Sequence, residues 1–77
     1  MKAEALLNKV SIGEVAVLGR FCGCITRIEL MGNVPMIAIT EIADDGRCYL
    51  EGERRGKRRI FRGTNKIQRL YERMGVQ

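Results

Sequence analysis

CITRIELMGNVPMIAITEI, residues 24–42, is the stretch that decides the fold. On either side of Gly32-Asn33 the side chains alternate: Cys24, Thr26, Ile28 and Leu30 form one run, then Met36, Ala38, Thr40 and Ile42 another. A period of two marks extended chain, whose successive side chains point to opposite faces, and Gly-Asn between two such runs marks a hairpin turn. Pro35 cannot donate a ladder hydrogen bond, so it belongs at the start of its strand or on an edge. The stretch predicts two antiparallel strands.

Working outward, Val15 and Val17 alternate after Gly13 and predict a strand upstream. Cys48 and Leu50 continue the period downstream of Asp45-Gly46, a pair suited to a two-residue type I′ loop because both residue types tolerate positive φ. Beyond Gly52 and Gly56 a basic run supplies a fifth strand. At the chain's two ends the period is helical. Ala3, Leu6, Leu7 and Val10 recur at i, i+3, i+4 and i+7, with a stop at residues 11–13; Ile67, Leu70, Tyr71 and Met74 share a face that ends at Gly75. Thr64 or Asn65 is the expected N-cap of the second helix, with Asn65 and Gln68 spaced as a capping box.

The fold class is therefore α+β and mostly β: a short N-terminal helix, an antiparallel meander of about five strands and a C-terminal helix. Such an order suggests a small curved sheet or a partial barrel of the SH3 or OB kind. Residues 15–23, centred on Gly19-Arg20-Phe21-Cys22-Gly23, loosely resemble the opening of a KOW segment of ribosomal and transcription-elongation proteins. The second glycine that such segments carry shortly downstream is missing, and the resemblance ends there.

Length allows one domain, residues 1–77, with a thin core: a chain this size buries roughly 60 to 65% of its unfolded surface. Small scaffolds commonly gain stability by association, so a homodimer is expected. The opening Lys2-Ala3-Glu4-Ala5-Leu6-Leu7 turns polar at Asn8-Lys9, too short an apolar run for a secretory or membrane segment. Three cysteines, Cys22, Cys24 and Cys48, make an odd count without the spacing of a disulfide framework. Free thiols and a cytoplasmic location, away from any membrane, are the expectation.

Charge is strongly polarised. Residues 1–51 carry five cations against seven acids, net −2, whereas residues 52–77 carry nine cations against Glu53 and Glu72, net +7. Six of the nine crowd into RRGKRRIFR, residues 54–62. A field of this kind attracts polyanions or an acidic protein surface. On a strand, Arg58, Ile60 and Arg62 share one face and Lys57, Arg59 and Phe61 the other, so neither face is cleanly apolar, and the strand is expected to lie on an edge, to start near Arg59 or to carry a bulge that re-aims the cations. The candidate binding residues are Arg54, Arg55, Lys57, Arg58, Arg59 and Arg62, joined by Lys66, Arg69 and Arg73, which cluster within roughly 60° on the C-terminal helix. Arginine outnumbers lysine seven to two among them, which favours bidentate contact with phosphate or carboxylate. About five phosphate contacts would give a salt slope near −4 on duplex. Phe61 is expected to pack in the core, with stacking on an unpaired base as its alternative role.

The chain has no histidine, which excludes Ser-His and Cys-His nucleophile pairs and removes the residue best suited to proton transfer at neutral pH. The acids Asp44 and Asp45 suit a turn better than acid/base work. Cys22, Cys24 and Cys48 lack a zinc-finger spacing, and the glycines match no phosphate-loop motif, so no cofactor or metal is expected. The expected function is a small non-catalytic nucleic-acid-binding or regulatory module. Its alternative is an adaptor or inhibitor that docks its basic face on an acidic protein.

Overall fold

The computed structural model describes residues 2–77. Its elements are α1 (Ala3–Leu7), β1 (Val15–Leu18), β2 (Phe21–Met31), β3 (Val34–Glu41), β4 (Arg58–Arg62) and α2 (Thr64–Met74). The strands pair antiparallel in the order β1-β2-β3-β4. The sheet is open, with β1 and β4 as its edges, so no barrel forms. Leu18 meets Phe21 across Gly19-Arg20, and Met31 meets Val34 across Gly32-Asn33. In both loops only the glycine has positive φ, 65° and 62°, the arrangement of a type II′ turn that matches strand twist.

Four strands stand where about five are expected. Cys48 and Leu50 form no strand; the run makes one isolated bridge, Ile42 to Cys48. Its backbone and side chains are engaged elsewhere: the Thr40 hydroxyl donates to the Tyr49 carbonyl at 2.5 Å, and Tyr49 packs on Gly56 so closely that a Cβ there would collide with the ring. The turn at Asp45-Gly46 also differs from a two-residue I′ loop. Ala43 and Arg47 close it, Gly46 alone has positive φ at 86°, and Asp44-Asp45-Gly46 make the three-residue loop that ends in a left-handed glycine.

Strand register distributes the side chains. A bulge at Thr26 shifts β2 by one residue, so Ile25 opposes Ile39 and Ile28 opposes Ile37 on one face, while Cys24 opposes Thr40 on the other. Cys24 and Ile28, one run by simple alternation, thus lie on opposite faces. Ile25, Ile37 and Ile39 meet Leu6, Leu7 and Val10 from the α1 segment, Ala16 and Leu18 from β1, and Ile67, Leu70 and Tyr71 from α2. This is the core. The Tyr71 hydroxyl donates to the Leu6 carbonyl at 2.6 Å and ties the two helices together. Burial, with a smaller contribution from the negative charge of Glu14, raises the Tyr71 phenol above its ordinary value.

The opposite face is covered by the 42–57 loop. Cys24 and Cys48 are joined in a disulfide with their Cα atoms 6.1 Å apart, and only Cys22 is free and exposed. The expectation of three free thiols is corrected here: the partners lie 24 positions apart, and the loop that folds back over β2 brings them together. With it goes the sequence argument for a reducing compartment. Arg27 bonds Glu51 at 2.8 Å and Glu29 at 3.4 Å, which pins the loop further.

α2 begins at Gly63, not at a Thr64 or Asn65 cap, and no side chain caps it. The Gly63 amide instead donates to the Pro35 carbonyl at 2.9 Å, which docks the helix start on β3. Its end is the expected one: Gly75 is left-handed, and the Val76 amide returns to the Tyr71 carbonyl at 2.9 Å. Among the described residues no helix is long and apolar enough to cross a membrane.

Candidate functional site

β4 sorts adjacent cations to opposite sides of the sheet. Arg58 pairs with Thr40 and Arg62 with Met36, on the loop-covered face, whereas Arg59 pairs with Ile39 and Phe61 with Ile37, on the helix face. Arg58 bonds the Glu51 carboxylate at 3.2 Å, the same oxygen that Arg27 holds. The acid Glu51, shared with Arg27, therefore offsets its charge. Arg59 has no such partner among the described residues; its guanidinium lies 5.7 Å from the Phe21 ring centre and 5.5 Å from that of Phe61. Glu41, the acid on the same face, is turned toward the Lys57 amide at 3.3 Å.

Along α2, Lys66, Arg69 and Arg73 are exposed beside the buried Leu70. With Arg59 they line an open groove of about 370 Å³, whose apolar side chains on this face are Phe61 and Leu70. The Arg73 guanidinium reaches the β1–β2 turn, where a Cβ on Gly19 would stand 3.9 Å from it. None of the four cations makes an ion pair among the described residues. This is a strongly positive strip with an apolar floor.

The strip weakens the helix that carries it. Like charges three or four residues apart cost roughly 0.2 to 0.5 kcal/mol each, which applies to Lys66 with Arg69 and Arg69 with Arg73. Lys66 also sits in the first turn, at the positive end of the helix dipole, while Arg73 in the last turn is well placed. A bound anion reverses these costs. Guanidinium and ammonium groups donate hydrogen bonds and accept none, so the groove can hold negative charge but carries no base.

Five expected site residues lie outside it. Arg54 and Lys57 are exposed in the loop, Arg55 lies 5.9 Å from the Tyr49 ring, and Arg58 and Arg62 project from the other face of β4. Phe61 is half-buried against the core, as expected, and also lines the groove. Phe21 and Leu70 are additions to the site. Leu70 was legible as core, but nothing in the sequence brings Phe21 under a side chain 38 positions later.

Cys24 and Cys48 are spent in their disulfide, and no three Cys, Asp or Glu side chains cluster as metal ligands among the described residues. Comparison of the chain with family models, with curated proteins and with solved structures finds no match.

Proposed function

We propose that this chain is a non-catalytic module that binds nucleic acid through its phosphates, using the groove between β4 and α2. One observation carries the proposal: Arg59, Lys66, Arg69 and Arg73 converge on that groove without an ion-paired acid among the described residues. Three of them sit on a regular helix, Lys66 to Arg73 spanning about 10 Å at 1.5 Å per residue, a length over which a strand offers several phosphates. The apolar floor excludes water from one side of each contact and strengthens it.

Fluorescence anisotropy with labelled oligonucleotides across a salt series tests this. Four phosphate contacts give a slope of about −3.6 on duplex and about −2.8 on a single strand in a plot of log K against log salt. The triple variant Lys66→Ala, Arg69→Ala, Arg73→Ala is expected to flatten the slope toward −1 while its unfolding midpoint holds or rises. Salt-independent binding, or no oligonucleotide binding while an acidic protein is captured, would reject the proposal. A homodimer, expected of so thin a core, belongs to the same proposal and is tested by sedimentation of the same sample.

A further inference from the structure

We infer that the groove is built for unpaired nucleotides, with Arg59 as the platform on which a base stacks and the α2 cations as phosphate holders; this rests on the function proposed above. The inference starts from where the Arg59 guanidinium sits. A cation that served only to attract phosphate would extend into solvent with its donors free. Arg59 instead lies over two rings, Phe21 from β2 and Phe61 from its own strand, at 5.7 and 5.5 Å. Cation–π attraction holds it there.

Those rings come from opposite sides of β3. Arg59 and Phe61 are two apart on β4 and share a face, while Phe21 approaches across the sheet at the end of β2. Arg59 is exposed, so its guanidinium is not enclosed by the two rings and keeps surface open to the groove. Planar guanidinium and aromatic surfaces are the two kinds on which single-stranded bases stack. No acid occupies Arg59 among the described residues, so its charge remains available to the same nucleotide.

The opposite wall completes the fit. Lys66, Arg69 and Arg73 rise about 4.5 and 6 Å apart along α2, so a strand whose base lies on Arg59 runs its phosphates along the helix. In a duplex the bases face inward, and only this wall can be used. Unpaired strands gain both walls.

The test compares three labelled probes of equal length at one moderate salt concentration: a single strand, its duplex and an abasic single strand. Stacking of one base predicts that the single strand binds about tenfold or more tighter than the abasic strand and the duplex. Arg59→Lys keeps the charge and loses the plane, so it should abolish that preference while the salt slope, which counts charges, stays at about −2.8 on the single strand. Equal binding of all three probes with a retained salt slope overturns the inference and leaves phosphate binding standing. So does an undiminished preference in Arg59→Lys. Failure of every probe to bind removes both.

Discussion

One face of this sheet is covered by helices and the other by a loop, and the two covers are held by different physics. Against the helices lie Ile25, Ile37 and Ile39, each fully buried among aliphatic side chains, with a side-chain hydrogen bond from Tyr71 to Leu6. Against the loop lie a disulfide, the Thr40 to Tyr49 hydrogen bond and a carboxylate shared by Arg27 and Arg58. Dry contact needs area, which two helices supply; a sixteen-residue loop without regular structure supplies little and must be fastened at points. The difference also governs function. On the fastened face Arg27 and Arg58 share an acid, whereas Arg59, Lys66, Arg69 and Arg73 around the groove pair with none among the described residues.

The largest expected effect is at Ile39. Truncation to Ala at a site with no exposure leaves a cavity between β3 and the helices and should cost about 2 to 5 kcal/mol by urea denaturation. Its neighbour Thr40, equally buried but on the other face, loses one hydrogen bond in Thr40→Val and should cost nearer 1 to 2 kcal/mol. Equal losses would mean that the two covers are not different in kind.

Next comes the fastening. Cys48→Ser opens a covalent loop of about 25 residues, which chain entropy values at about 3.5 kcal/mol, and the loss should vanish when wild type and variant are compared in reductant. Persistence of the full difference in reductant would show that packing around Cys48, not the covalent link, holds the loop.

How much of this was legible depends on whether a feature is local. α2 follows from Ile67, Leu70, Tyr71, Met74 and a terminal glycine, all within one periodic segment, and the β2–β3 hairpin from Gly32-Asn33 and Pro35. Cys48 and Leu50 misled because alternation over two residues cannot report that Tyr49 gives its carbonyl to a side chain. The helix cap failed for a related reason: Gly63 docks by its amide on Pro35, a partner 28 positions away. For the site, parity on β4 separated Arg58 from Arg59, but charge counting could not tell which face held Glu51 and which held Phe21.

A smaller effect tests the Tyr71 side-chain hydrogen bond on the helix face. Because the folded phenol of Tyr71 is raised above the unfolded value near 10, its contribution is complete below that pH. As pH rises past 10 the unfolded chain sheds its proton first, so stability falls until the folded group also ionises. Tyr71→Phe should cost about 1 kcal/mol at pH 7, through the lost bond to Leu6, and remove part of the alkaline decline. Identical slopes above pH 10 would show that the phenol does not drive that decline.

The smallest effect is the sharpest test of whether the faces are separate. Glu51→Gln keeps the shape that holds Arg27 and Arg58 but removes its charge, and half-exposed ion pairs of this kind are worth about 0.5 kcal/mol after solvent screening. The chain gains one unit of positive charge, and Arg58 sits next to Arg59 in sequence. If net charge governed binding, oligonucleotide affinity would rise several-fold. Yet the groove opens on the far side of the sheet, and ions at physiological salt, with a Debye length of about 8 Å, screen a charge whose field must reach it around the sheet edge. Affinity in that buffer should therefore change less than twofold in the Glu51→Gln variant. A several-fold gain would place Arg58 on the same binding surface as Arg59 and erase the division that β4 makes between them.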